Sequence, residues 1–153
     1  MTDDRPDRRR ESAMAETVPE LLTDLRRLFA RGSRETLRCR FRYSLGDPYA
    51  VAIDLILENG LSITWVVSRD LLSAGTRGPA GEGDFKVWPS CRHHSRRPCV
   101  YFSLDRPEGH VAFEAGLSEI RQWLDRTYDL VPAGRESELL DWDALADSLL
   151  GRG

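Results

Sequence analysis

Strict alternation of apolar and polar residues dominates the middle of the chain. In TLRCRFRYS, Leu37, Cys39, Phe41 and Tyr43 fall on one face and Arg38, Arg40 and Arg42 on the other. That is the pattern of a half-buried strand with an arginine stripe on its wet side. Asp47-Pro48 marks a turn, and AVAIDLIL then places Val51, Ile53, Leu55 and Leu57 on one face. Asn59-Gly60 is a strong hairpin signal, because both turn positions favour positive φ. The chain returns as LSITWVV with Leu61, Ile63, Trp65 and Val67 aligned. An antiparallel meander is predicted.

Further along, Ser68 is placed to cap a short helix, RDLLSA, which Gly75 ends. GTRGPAGEGD reads as a glycine-rich turn region. FKVW is a short strand stopped by Pro89, and VYFSL is its partner, with Val100, Phe102 and Leu104 on one face. Pro107-Glu108-Gly109 turns the chain into a further strand, HVAFEA. Leu117, Ile120, Leu124 and Tyr128 mark an amphipathic helix that VPAG breaks. Asp141 begins a last helix with a Trp142, Leu145 and Leu149 stripe. The first apolar stretch, LLTDLRRLF, is ambiguous: Leu21, Leu22, Leu25, Leu28 and Phe29 fit a helical face, while Leu21, Leu25 and Phe29 also alternate. Periodicity alone favours the helix.

Composition narrows the class. The 153 residues, 41% hydrophobic and 31% charged, suit one domain with its own core. Net charge is −3, which excludes a strongly basic nucleic-acid footprint at the level of the whole chain. Three cysteines at irregular spacing make no secreted disulfide framework, and no apolar run is long enough for a membrane span or signal peptide. A cytoplasmic protein is expected. Residues 1–20 are expected to form a disordered N-terminal tail, since the opening mixes both charges with almost nothing apolar. Residues 21–150 form the domain and 151–153 a short tail.

Three stretches advertise chemistry. Gly78, Gly81 and Gly83 mimic a phosphate cradle, but a cradle needs a strand before it and a helix N-terminus after it. Here a helix precedes and a strand follows, so a tight β-connection is the better reading. CRHHSRRPC holds four zinc-ligand candidates, Cys91, His93, His94 and Cys99. Structural zinc sites separate their ligand pairs more widely, and adjacent histidines diverge in an extended segment. No metal and no cofactor are expected. A Cys–His dyad in one loop also lacks an orienting third group and oxyanion donors, so no catalytic residue is assigned. The loop arginines Arg92, Arg96 and Arg97 form a basic tip, suited to an acidic partner or simply to solvent.

Several motifs occur in a fixed order: DPYAV from Asp47, WVVSRDLL from Trp65, G-x-x-x-P-x-G-x-G-D from Gly75 to Asp84, VWPS from Val87 and PEG from Pro107. V-P-x-G from Val131 and D-W-D-x-x-L from Asp141 follow. Together they resemble the SsgA-like sporulation and cell-division proteins of actinobacteria, over about residues 21 to 150. The resemblance implies a non-enzymatic regulator or adaptor of septum placement or assembly, recruited to the division septum and linked to the tubulin-like protein FtsZ or a protein associated with it, another SsgA-like protein among the candidates. It also implies a whirly-type fold that tends to trimers. On that fold the first element is a strand. The expected architecture is therefore α+β, with a strongly curved seven-stranded antiparallel sheet in ββββαβββαα order and two C-terminal helices. The loop from Cys91 to Cys99 is longer and more basic than the corresponding family loop.

Within these motifs, Trp65 is expected in the core, and Gly81 and Gly83 as backbone requirements. Arg69, Asp70 and Asp84 are expected to form a charge and hydrogen-bond set around the short helix, with Asp47, Pro48 and Pro89 shaping turns. Tyr49 and Trp88 are the surface aromatics suited to a partner, because exposed aromatics anchor interfaces. A different class, a single-stranded nucleic-acid module, would use the Arg38/Arg40/Arg42 stripe as a backbone-tracking face.

Overall fold

The computed structural model describes residues 18–28, 36–91, 97–139 and 142–151. Eight strands form one antiparallel sheet: β1 (Leu21–Arg27), β2 (Thr36–Arg42), β3 (Ala50–Ile56), β4 (Ser62–Ser68), β5 (Ala80–Glu82), β6 (Phe85–Pro89), β7 (Cys99–Arg106) and β8 (Gly109–Gly116). Their spatial order is β4-β3-β2-β1-β8-β7-β6-β5. Helix α1 (Arg69–Gly75) links β4 to β5. Helix α2 (Leu117–Leu130), a 3-10 turn (Glu136–Leu139) and helix α3 (Trp142–Leu149) follow the sheet.

The first element is a strand, as the resemblance implied and periodicity alone did not. Its inward residues, Leu21, Thr23 and Leu25, stand opposite Phe41, Cys39 and Leu37 of β2. Phe29 lies outside the described residues. Seven strands were expected and eight are present among the described residues. The added one, β5, lies inside the glycine-rich turn region and pairs Ala80–Glu82 with Phe85–Val87 across a tight connection. Gly83 has φ +60°, which an L side chain resists. A Cβ on Gly81 would stand 2.8 Å from the Phe85 carbonyl oxygen. Both glycines are backbone requirements for this hairpin.

Alternation is borne out in the register. Cys39, Phe41, Val51, Ile53, Leu55, Val87, Val100, Phe102 and Phe113 point inward and are buried. Burial pushes the Cys39 thiol up to about 12. The sheet curls until distant strands touch across this interior. Trp65 of β4 lies 6.3 Å edge-on from Phe85 of β6 and 6.0 Å from Phe113 of β8. Trp65 is therefore attached to the core, though only partly buried. Its neighbours Leu61 and Ile63, expected inside with it, are 64% and 48% exposed. The reason is position: β4 is a sheet edge, and α1 grows from its far end.

Helix α2 closes the core with Leu117, Ile120, Leu124, Thr127 and Trp123, the last two absent from the predicted stripe. Trp123 packs 5.7 Å from Phe41, and its indole N–H donates to the Pro19 carbonyl at 2.8 Å. That bond corrects the tail boundary. Residues 18–20 are held against the domain, whereas residues 1–17 lie outside the described residues. Asp141 is also outside them, as are the side chains of Trp142 and Leu145. Leu149, expected in the same stripe, is 78% exposed.

Candidate protein-protein interface

Each surface aromatic is aimed outward by a specific local structure. In the β2–β3 connection, the Asp47 N–H donates to the Ser44 carbonyl, and the Ala50 N–H donates to the Asp47 carbonyl. Pro48 is buried, and its carbonyl accepts from the Tyr43 hydroxyl at 2.9 Å. The Tyr49 carbonyl accepts from the Arg69 N–H, which leaves the Tyr49 ring 46% exposed.

Trp88 sits on the outer face of β6. It pairs across the sheet with Tyr101 of β7, then Glu114 of β8 and Arg26 of β1. The Trp88 and Tyr101 rings are 5.6 Å apart at 31°, an arrangement that stiffens both. Arg26 holds Glu114 through two contacts of 2.8 Å, both from Nη2. Beside Trp88 runs a shallow, mainly apolar groove of about 300 Å³, lined by Pro79, Ala80, Gly81, Lys86 and Val87. Pro89 ends the strand beyond the reach of β5, where its missing N–H removes no ladder bond. Tyr49 lies in the β2–β3 connection and Trp88 on β6, with four strands between β3 and β6 in the sheet order.

The loop after β6 is only partly described. Arg92, His93, His94 and Arg96 lie outside the described residues. Cys91 is exposed and Cys99 is half-buried, each a thiol and not half of a disulfide. The Cys99 thiol donates to the Arg97 carbonyl. Ser90 receives the strand partner with its hydroxyl, which accepts from the Cys99 N–H at 3.0 Å.

The arginine stripe is on the outer face, as expected, but it is neutralised. Arg42 makes a two-bond pair with Asp54 at 2.7 and 2.9 Å, and Asp54 also accepts from the Thr64 hydroxyl at 2.6 Å. The Arg42 hydrogen bonds hold the Asp54 carboxyl below its usual range. Arg40 stands 3.4 Å from Glu20, and Arg38 3.5 Å from Asp24. A phosphate backbone would have to displace a carboxylate at every one of these positions.

Arg69 and Asp70 do form a polar set, with different partners from those expected. Arg69 is completely buried. Its guanidinium donates to the Thr127 carbonyl at 3.0 Å and to Glu136 Oε1 at 2.7 Å. It lies between the rings of Tyr43 and Tyr128, 4.9 and 4.0 Å from their centroids. The hydrogen bond from Arg69 holds the Glu136 carboxyl below its ordinary value. Asp70 accepts from the Tyr128 hydroxyl at 2.8 Å. Asp84 stands apart, its carbonyl accepting from the Asp105 N–H. Glu136, Thr127 and Trp123 were missed in the sequence, since nothing local links them to Arg69 or Phe41.

The described residues form a curled antiparallel sheet with a buried Arg69–Glu136 ion pair and a charge-balanced outer face. Comparison with known proteins gives the class. The family described as "Streptomyces sporulation and cell division protein, SsgA" matches residues 37–136, a span that holds both partners of the buried pair. The chain belongs to the SsgA family, which is a family of sporulation and cell-division proteins rather than of enzymes. It is 40% identical over 120 residues to the sporulation-specific cell division protein SsgB of Frankia casuarinae, covering 78% of this chain and 82% of that one. The SsgB of Salinispora tropica is 36% identical over 141 residues, 91% of this chain and 97% of its own. The structure of an SsgA-like sporulation-specific cell division protein from Thermobifida fusca superposes with a TM-score of 0.76 at 32% identity, over 85% of this chain and 93% of that one. No described helix is long and apolar enough to cross a membrane.

Proposed function

We propose that this chain is a non-enzymatic adaptor of sporulation-specific cell division, recruited to the septum through contacts with FtsZ or an FtsZ-associated protein. The observation that carries the reading is the Trp88–Tyr101 pair beside its apolar groove, on a chain whose relatives are sporulation-specific cell division proteins. Paired aromatics on an outer face lose little side-chain entropy on binding, and aromatic anchors of this kind dominate interface energies. Tyr49 supplies a second contact point from the β2–β3 turn, and the arginines near the Cys91 loop tune partner choice. A septal role through a self-associated form, with three copies as the resemblance implies, fits the same reading.

The test is imaging of a fluorescently tagged copy in a sporulating host, alongside labelled FtsZ. Septal ladders that coincide with FtsZ are expected for the native chain. Trp88→Ala is expected to disperse the signal while leaving the melting curve nearly unchanged. Diffuse fluorescence of the native chain throughout septation would refute the adaptor role.

A further inference from the structure

Lys86 of β6 departs from the charge balance of the outer face. Arg26, Arg38, Arg40 and Arg42 each meet a carboxylate within 3.5 Å. Lys86 is exposed and forms no ion pair among the described residues, and its cross-strand neighbours, Gly81 and Ser103, are uncharged. The imbalance extends along the chain. From Phe85 to Ser103 the sequence carries Lys86, Arg92, Arg96 and Arg97 with no Asp or Glu, although the whole chain is at −3. Lys86 also lines the apolar groove beside Trp88. Gly81 makes room for it there: a Cβ on that glycine would stand 2.9 Å from Lys86 Cγ. The lysine stem thus lies against the glycine as an apolar wall, and its ammonium stays in water.

We infer that this groove docks a short, acidic linear segment of a partner protein, anchored by one large apolar side chain. The anchor fills the groove against Trp88, and carboxylates beside it meet Lys86. This is the division of labour in linear-motif recognition, where an aromatic-lined groove selects the anchor and a neighbouring cation selects the charge pattern. A shallow groove of about 300 Å³ takes a few side chains, which suits such a segment better than a folded surface. A basic segment would set its charge against Lys86 with no carboxylate to offset it. A nucleic-acid backbone fits less well, because Glu114 follows Tyr101 on the same row of the sheet. The inference rests on the proposed adaptor role only for the choice of face, since the charge and shape of the groove are properties of this chain.

The experiment is selection of short random peptides, displayed on phage, against the immobilised full chain. The enriched peptide is then synthesised with a dye and titrated by fluorescence anisotropy. Enriched sequences should place acidic residues around an aromatic or long aliphatic one. Trp88→Ala should raise the dissociation constant by about 30-fold or more, the effect of losing a central anchor. Lys86→Glu should raise it by about ten-fold, and Lys86→Arg should leave it nearly unchanged. Because Lys86 is exposed, Lys86→Glu should melt with the native chain, which separates lost binding from lost folding. Selection repeated on Lys86→Glu should lose the acidic preference. No enrichment, enrichment without acidic residues, or a titration that Trp88→Ala and Lys86→Glu leave unchanged would overturn the inference. So would a change of oligomer size in light scattering of Trp88→Ala, which would give the groove to a contact between copies. Tighter binding of an oligo-dT strand than of any selected peptide would overturn it too. Septal imaging separates the two readings. Acidic peptides selected by a chain that stays diffuse through septation would uphold the groove and refute the adaptor role, whereas a septal chain that selects none would do the reverse.

Discussion

Arginine does two different jobs in this molecule, and the contrast is set by water. On the outer face Arg26, Arg38, Arg40 and Arg42 each meet a carboxylate in or near solvent. Inside, Arg69 meets Glu136 with no exposed surface on its own side chain. The Coulomb attraction is similar in origin, but the surroundings change its consequence. An exposed pair is screened and gains little. A buried pair costs much desolvation to form, and removal of one partner strands the other without water. The outer pairs make a face neutral, whereas the inner pair fixes how α1, α2 and the 3-10 turn meet.

The largest effect should come from splitting the inner pair. Arg69→Ala takes the guanidinium away from the buried Glu136 carboxylate, and should cost about 3–5 kcal/mol in urea unfolding. Glu136→Gln keeps an acceptor at Oε1 and should cost clearly less. If the two variants melt together, the pair is not what holds this junction. Acid provides the second probe. Because Glu136 titrates lower when folded than unfolded, its contribution is present above the ordinary carboxylate pKa and is lost as pH falls through the depressed value. Glu136→Gln should therefore flatten the acid side of the stability curve, and an unchanged acid limb would contradict the assignment.

The outer face should respond in order of burial. Asp54, which accepts from both Arg42 and Thr64 and is only 5% exposed, is the intermediate case. Asp54→Ala should cost about 1.5–3 kcal/mol, the range for hydrogen bonds to a charged group. Asp24→Ala should be the smallest change. Its ion pair with Arg38 is 3.5 Å long with both side chains more than half exposed, and a loss above about 1 kcal/mol would be out of character. Repeating that melt in about 1 M salt should erase whatever difference remains.

Much of this arrangement was legible in the chain. Side-chain alternation in β2 and β3 identified the buried residues and put the arginines outside. The Pro107-Glu108 turn and the Ser68 cap were equally plain, since each depends on adjacent residues. Legibility failed where the determining contact is remote or made by backbone. Strand β5 has almost no side chains to alternate, so its pairing with β6 is invisible in GPAGEGD. The carboxylate that neutralises Arg69 is 67 residues away in a stretch that reads as a linker. Trp88 alternates away from Val87 in the letters, but its pairing with the Tyr101 ring depends on the register between β6 and β7. Leu61 and Ile63 have core-facing letters and lie on the correct face. They are exposed because an edge strand is covered from one side only, which no alternation pattern records.

The depth of Cys39 has a practical consequence. Its thiol is walled in by the core, and burial keeps it protonated far above neutral pH. The two other cysteines, Cys91 and Cys99, stand at either end of the loop that follows β6. A maleimide dye added to the native protein should therefore attach only at those two positions, with the third reacting once the chain is denatured. Intact-mass measurement before and after denaturation would count them. The molecule thus carries its own pair of handles for spectroscopy, placed beside Trp88 and needing no engineered cysteine.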